Sequence, residues 1–164
     1  MAAADPKLEK TQAHKSAPLY FFPTLVDANA LLQKAIHRLP LEMRQQIILR
    51  CDELAKLHAT EETIENVFSE LFQLIVGKKA PDAKLYLHIT CSQEDKAGEE
   101  TIVFDVQRFL IQFHTNITPH AAWMLEIGPR INHMASMLHP FGGSLLVNQL
   151  KNSGCVFCIA LPGK

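Results

Sequence analysis

Apolar residues recur with helical spacing in two segments of the N-terminal half of the chain. Asp27 precedes the first segment and Pro40 ends it, while Thr60 precedes the second, over residues 61–76. Asp and Thr side chains accept hydrogen bonds from the free N–H groups of a helix start, so both residues predict N-caps. The apolar positions are Ala28, Leu31, Leu32, Ala35, Ile36 and Leu39 in the first helix, and Ile64, Val67, Phe68, Leu71, Leu74 and Ile75 in the second.

A third helical pattern, over residues 118–139, is interrupted. Thr118-Pro119 predicts an N-cap and a first-turn proline for a short helix through Glu126. Gly128-Pro129 breaks the pattern, so a new helix is expected to begin there and to end near His139.

Alternation of apolar and polar residues predicts the strands. Residues 46–52 and 84–91 alternate clearly, and residues 57–59 are predicted to return from the first of these as a hairpin. Residues 101–106 are the predicted antiparallel partner of residues 84–91. The apolar run 19–22 predicts a first edge strand.

The C-terminal segment predicts a helix end followed by a β-hairpin. Gly142 and Gly143 are expected to supply the positive φ that ends the helix, with Gly143 in the left-handed region. Two strands then flank Asn152-Ser153-Gly154, which has the residue types of a tight turn.

Three runs in this segment carry a family resemblance. Gly-Gly-Ser-Leu-Leu-Val at residues 142–147, Asn-Ser-Gly-Cys-Val-Phe at 152–157 and Ile-Ala-Leu-Pro at 159–162 resemble the end of the ATP-binding catalytic domain of sensor histidine kinases. That domain belongs to the superfamily shared with DNA gyrase, Hsp90 and MutL. The order of the upstream elements agrees, so the resemblance covers residues 22–162.

The resemblance implies a fold class. We expect an α/β protein, a two-layer sandwich of the Bergerat type, in which a mixed, mainly antiparallel sheet of about five strands has three main helices on one face. The order of helices and hairpins supports segregated layers independently. Residues 19–164 form this domain in the prediction, after a disordered tail of residues 1–18 whose composition has no apolar period.

The resemblance also implies a nucleotide site, and the first part of it lies on the second helix. Glu70 keeps an acidic residue where gyrase-like members hold a general base, although a solvated carboxylate is the alternative interpretation. Leu74 occupies the position of the asparagine that ligates magnesium. Leucine has no oxygen to offer a hard cation.

The other parts of the implied site lie farther along the chain. Asp105 stands near the position of the aspartate that binds adenine, but no glycine follows it before Gly128, so an exposed or ion-paired role is favoured. Gly128 alone matches the glycine motif that should hold phosphates at a helix start. Arg130 replaces the second glycine, and its charge could attract an anion.

Charge and composition argue against several classes of binding partner. The chain has 16 basic and 17 acidic residues and a formal charge of −1, so it has no global field for nucleic acid or an anionic membrane. It has no apolar run of about 18 residues and no signal-peptide pattern, which predicts a cytoplasmic protein.

The cysteines and histidines give no sign of a metal site. Cys155 and Cys158 point to opposite faces of one predicted strand, which predicts that they are core or free thiols. No histidine pair has the spacing of a zinc site.

These observations favour a degenerate, non-catalytic histidine-kinase-like domain, a pseudokinase that acts as a protein-interaction or regulatory module in two-component signalling. No cofactor and no metal are expected, and a response regulator, a histidine kinase or a second copy of the chain is the expected partner. Histidine phosphotransferases with a degenerate kinase-like domain are the nearest analogy, but their phosphoacceptor hairpin is not present, and His37 lies at a helix end.

Two other functions remain open. A divergent ATPase or protein histidine kinase would bind Mg-ATP in a remodelled site that uses Glu70, Asp105 and Arg130. A structural domain of a larger complex would need no such site. Nucleotide titration separates the first of these from an interaction module.

Overall fold

The computed structural model describes residues 25–94, 107–118, 120–151 and 154–164. In chain order the elements are β1 (Leu25–Asp27), α1 (Ala28–His37), α2 (Leu41–Arg44), β2 (Ile47–Cys51), β3 (Lys56–His58), α3 (Glu61–Gly77), β4 (Leu85–Gln93), β5 (Gln107–Thr115), α4 (Ala121–Leu138), a 3-10 turn (His139–Phe141), β6 (Ser144–Gln149) and β7 (Cys155–Gly163). The predicted tail, residues 1–18, and the predicted edge strand, residues 19–22, lie outside the described residues.

The described strands form one sheet of seven, in the order β1-β3-β7-β5-β4-β2, with β6 also paired to β7. Every pair is antiparallel except β2 with β4. The central strand β7 pairs along its whole length with β5, and β6 and β3 share its other edge. The predicted mixed, mainly antiparallel sheet is confirmed, with two more strands than expected.

The helices α1, α3 and α4 cover one face of this sheet, which confirms the two-layer sandwich. Phe68 and Phe72 of α3 pack against Phe113 of β5, with ring centroids 5.9 and 5.8 Å apart. All three rings are almost completely buried. Because burial of one such side chain stabilises a fold by about 1.5–3 kcal/mol, this contact between α3 and the sheet is a major part of the core.

The predicted starts of α1 and α3 are confirmed by their caps. Asp27 Oδ1 accepts a hydrogen bond of 3.0 Å from the Asn29 N–H group, and Thr60 Oγ1 accepts one of 3.2 Å from Thr63. None of the described helices reaches the length and hydrophobicity of a bilayer-spanning segment.

The predicted hairpin between β2 and β3 is wrong. β2 pairs in parallel with β4, whereas β3 pairs with β1 and, through Leu57, with Gly163 of β7. Leu57 is completely buried there. Contacts of Leu57 with residues distant in sequence decide where β3 lies, and local alternation of apolar and polar residues cannot predict such contacts.

The antiparallel partner of β4 also differs from the prediction. Residues 107–115, as β5, pair with β4 from Leu87 to Gln93. The stretch predicted for this role, residues 101–106, lies outside the described residues. The apolar run that begins at Phe109 lies within this strand, and its side chains fill the core beside β4.

The corner after α4 places the left-handed residue one position earlier than predicted. Gly142 has a φ of 76° and caps the 3-10 turn, while Gly143 lies outside the left-handed region. Gly143 is nevertheless restricted, because a Cβ atom there would lie 2.6 Å from Leu161 Cδ2 and 2.9 Å from the Ala160 carbonyl oxygen. The hairpin after it is confirmed, and Gly154 has a φ of 84°.

All four cysteines are free thiols, as predicted. Cys155 is buried, and burial raises the pKa of its thiol. Cys51 is exposed, so a core role does not apply to it.

The face of the sheet opposite α1, α3 and α4, the outer face, carries a row of basic side chains. Arg50 of β2, His88 of β4 and His114 of β5 are neighbours in strand register. The two imidazole rings lie 6.0 Å apart, and His114 Nε2 lies 3.3 Å from Thr90 Oγ1. Burial, and to a lesser degree the nearby His88, lowers the pKa of His114 below its ordinary value of 6.5.

We predict that Gly143→Val lowers the free energy of unfolding by about 1–3 kcal/mol, the usual cost of forcing extra atoms into a packed site. The added side chain would overlap Leu161 and the Ala160 carbonyl. Urea unfolding measures the change. An unchanged midpoint would show that β7 does not lie against Gly143.

We predict that His114→Gln reduces the loss of stability on acidification. The pKa of His114 is lower in the folded state, so below pH 6.5 the unfolded chain takes up the proton more readily and folding is disfavoured. The urea midpoint should therefore fall less between about pH 7.5 and about pH 5.5 in the variant than in the wild type. Equal losses in the two proteins would contradict the burial of this imidazole.

Candidate functional site

A cavity of about 320 Å³ lies between α3 and α4, where the resemblance places the nucleotide. Glu70 and Gln73 line it from α3, and Pro129, Arg130 and His133 line it from α4. The spacing of three residues within each helix puts these side chains on one face. Two of the five predicted site residues, Glu70 and Arg130, are thus brought together.

One carboxylate–imidazole contact and one ion pair connect α3 and its C-cap, Lys78, to α4. His133 Nε2 lies 3.9 Å from Glu70 Oε2, and Lys78 Nζ lies 2.6 Å from Glu126 Oε1. The hydrogen bond from Lys78 lowers the pKa of Glu126. Both pairs are largely exposed and contribute little stability. They do show that the two helices run antiparallel and touch on both sides of the cavity.

Leu74 lies one helical turn after Glu70 but does not line the cavity. Its side chain is completely buried in the core. The position that the resemblance assigns to the magnesium ligand is therefore filled by an apolar side chain directed into the protein. Within the described residues, no group of three or more histidine, cysteine or acidic side chains could hold a metal ion.

The helix α4 is continuous through Gly128 and Pro129, which contradicts the predicted break and the predicted helix start. It begins at Ala121, and its N-cap is His120, whose Nδ1 accepts a hydrogen bond of 3.3 Å from Trp123. The predicted cap at Thr118 is wrong, and Pro119 lies outside the described residues.

A buried stripe explains why this helix does not break. Its buried side chains lie on one face on both sides of the Gly-Pro pair. They are Trp123, Ile127, Met134 and Leu138. Pro129 cannot donate to the Leu125 carbonyl, but Leu125 is 81% exposed, so that turn faces solvent and water can satisfy the oxygen.

The continuity of α4 changes what Gly128 can do. Free N–H groups occur in the first turn of a helix, and these are the groups that bind phosphate. Gly128 lies in the middle of α4, where the N–H groups that follow Pro129 are bonded to carbonyls of the preceding turn. Gly128 therefore does not begin a phosphate-binding turn. Arg130 still presents its guanidinium to the cavity.

The resemblance places the adenine end of the implied site near the strand that pairs with β4, and the role of Asp105 there stays a prediction. Asp105 lies outside the described residues. The strand that pairs with β4 ends at Thr115, and Asn116, Ile117 and Thr118 follow it without a glycine. Thr115 is buried and donates a hydrogen bond of 3.1 Å to the Cys155 carbonyl oxygen.

Both polar atoms of the Asn116 side chain are hydrogen-bonded to the backbone at this end. Its Oδ1 accepts a hydrogen bond of 3.0 Å from the Tyr86 N–H group, and its Nδ2 donates one of 3.1 Å to the Lys84 carbonyl oxygen. The side chain thereby fixes the start of β4 to the end of β5.

The cavity residues Gln73, Pro129 and His133 were not predicted. The helical spacing of Gln73 from Glu70, and of His133 from Arg130, could have revealed two of them.

We predict that Gly128→Ala raises the free energy of unfolding by about 0.5–1 kcal/mol, because alanine is the better residue inside a helix. An added Cβ atom there meets nothing within 4 Å. The matched control is Gly142→Ala, which should lower it by about 1–2 kcal/mol because φ is positive at that position. Destabilisation by Gly128→Ala would mean that the helix breaks there.

The sequence matches no protein-family model and no curated protein. Solved structures are similar in fold. The mycobacterial sensor histidine kinase MprB is 11% identical, with a TM-score of 0.65, and the match covers 87% of this chain and 98% of that one. A nucleotide-free form of the catalytic domain of histidine kinase ThkA is 14% identical, with a TM-score of 0.62 and coverage of 85% and 96%.

A third similar structure is that of the Acinetobacter baumannii histidine kinase AdeS. It is 13% identical, with a TM-score of 0.63, and the match covers 86% of this chain and 67% of that one. Together these likenesses agree with the seven-stranded sheet and its covering helices. The chain has the fold of histidine-kinase ATP-binding catalytic domains.

Proposed function

We propose that this protein is a degenerate, non-catalytic histidine-kinase-like domain that acts as a protein-interaction or regulatory module in two-component signalling. The observation that carries the proposal is the continuity of α4 through Gly128 and Pro129. A continuous helix leaves no first-turn N–H groups at that point to hold phosphates.

The residues present do not fit Mg-ATP held in the family's manner. Leu74 offers no oxygen and is buried. Thr115 has a hydroxyl that is already bonded, and the following residues lack the glycines that would let a base approach the backbone. The pair Lys78–Glu126 adds a direct contact between the helices that border the site.

A domain of this kind would act through its surfaces. A response regulator, a histidine kinase or a second copy of the chain is the proposed partner, and no cofactor is required. The fold supports the connection with two-component signalling, since the similar solved structures are histidine kinases.

A divergent nucleotide-binding ATPase or protein histidine kinase is the second candidate. The observation that favours it is the cavity between α3 and α4, where a carboxylate, an imidazole and a guanidinium remain together. These groups could bind an anion without the family's own motifs.

We predict that the protein does not bind Mg-ATP at cellular concentrations. If each of the three altered elements removes about 1.4 kcal/mol, a micromolar affinity falls to about millimolar. Isothermal titration with ATP, ADP and a non-hydrolysable analogue, each with magnesium, measures this directly.

The control for that titration is the double substitution Glu70→Gln with Arg130→Gln, which neutralises both charges that line the cavity. A dissociation constant below about 100 μM for the wild type, weakened at least about tenfold in the double variant, would establish the ATPase alternative.

A further inference from the structure

The strand β2 is a free edge of the sheet in the described part of the chain. It stands at the end of the strand order and pairs only with β4. The Gln46 carbonyl oxygen accepts from Leu85, and the Asp52 N–H group donates to Ile89, each at 2.9 Å.

These two bonds fix the direction of every backbone group in β2. Alternate residues of a strand point to opposite sides, so Ile48 and Arg50 bond to β4 as Gln46 and Asp52 do. Ile47, Leu49 and Cys51 therefore direct their N–H and C=O groups away from the sheet. Such a row of backbone donors and acceptors is a template for a further strand.

Apolar and aromatic side chains lie beside this edge on the outer face. Ile48 and Tyr86 are neighbours in register and are 47% and 54% exposed. With Arg50, His88 and His114 they line a shallow cavity of about 490 Å³. An extended segment that pairs with β2 would place alternate side chains above this surface.

The described part of this surface carries one cation, Arg50, beside the free edge. Arg50 is exposed, and its guanidinium makes no hydrogen bond or ion pair with any described residue. The nearby carboxylate of Asp52 lies 3.4 Å from His88 Nε2 and is thus engaged by the imidazole. Among the described residues, the Arg50 guanidinium is therefore a cation without a partner beside the free edge.

We propose that the β2 edge binds an extended, acidic segment of a partner protein by strand addition. The backbone of the segment would pair with Ile47, Leu49 and Cys51. On its outer-face side, an apolar residue would contact Ile48 and Tyr86, and a carboxylate two residues away would bind Arg50. The recognised pattern is an apolar residue, any residue, and an acidic residue, in either chain direction.

In the register that pairs the whole of β2 with itself, charge disfavours a second copy of the chain. If β2 paired antiparallel with itself about Leu49, the two Arg50 side chains would become diagonal neighbours, about 7–8 Å apart on one face. Like charges at that distance oppose self-association. An acidic segment instead supplies the missing counter-charge.

This inference does not depend on the nucleotide site, because the edge and the outer face lie away from the cavity between α3 and α4. The domain could bind ATP and still bind such a segment. Failure of one proposal therefore leaves the other intact.

The test uses the acetylated peptide Thr-Val-Thr-Glu-Thr-Val-Thr, which presents valine, glutamate and valine on one face in either direction. A matched peptide carries lysine in place of glutamate. Binding is followed by fluorescence anisotropy and by amide shifts in ¹H–¹⁵N spectra. We expect the glutamate peptide to bind at least about tenfold tighter than the lysine peptide, with the largest shifts at Ile47, Leu49 and Cys51.

Two variants sharpen the test. Arg50→Glu should reverse the preference, so that the lysine peptide binds tighter. Leu49→Pro removes an outward N–H group without removing a bond to β4, and it should weaken both peptides by at least about tenfold. Lys34→Glu, an exposed charge reversal on α1, is the control and should change neither affinity.

Three results would overturn the proposal. Equal affinity for the two peptides would remove the charge selection. Shifts confined to residues outside β2 and its outer-face neighbours would place binding elsewhere. Concentration-dependent dimerisation that Leu49→Pro abolishes would identify a second copy as the occupant.

Discussion

The burial of α3 is the constraint on which the other features depend. This helix packs on Phe113 of the sheet, on α1 and on α4. Nine of its side chains between Ile64 and Val76 are buried. Arg38, the C-cap of α1, forms an ion pair of 2.8 Å with Glu65 on one side of α3. Lys78 forms an ion pair with Glu126 on the other side. Leu74 of α3 is completely buried and offers no oxygen to a metal ion. Of the polar side chains of α3, Glu70 and Gln73 line the cavity at the border with α4.

Local chemistry allowed much of the fold to be predicted. Asp27 and Thr60 cap their helices because a side-chain oxygen next to a helix start has few alternatives. The β6–β7 hairpin follows from turn residues and alternation, which are properties of neighbouring residues. These elements needed no information about distant contacts.

The errors arose where distant contacts overrode a local signal. Gly128-Pro129 is a strong helix breaker in isolation, yet the buried stripe on α4 continues across it. The strand that contains Leu57, β3, lies beside β7 and does not pair with β2, because the burial of Leu57 there stabilises the fold more than a short hairpin would. The site was predicted less completely than the fold. Glu70 and Arg130 do line the cavity, but the phosphate-binding role considered for Gly128 requires a helix start that is absent at this position in α4. Asp105 lies outside the described residues, and its place in the site stays a prediction.

The histidine-kinase fold separates two surfaces with different uses. On the helix side, α3 and α4 meet where the resemblance places a nucleotide, and the chemistry of that site must be judged from its own residues. On the outer face, β2 leaves backbone groups and a guanidinium available to a partner. In the proposed function, the domain keeps this fold for recognition without nucleotide chemistry.

Amide hydrogen exchange across the middle of α4 tests the central claim most directly. In a continuous helix, the N–H groups of Arg130, Ile131 and Asn132 are bonded to carbonyls four residues earlier, and they should exchange as slowly as those of the following turn. Addition of Mg-ATP should leave these rates unchanged. Rapid exchange at these three amides, slowed by Mg-ATP, would show a helix start that binds phosphate and would contradict the account.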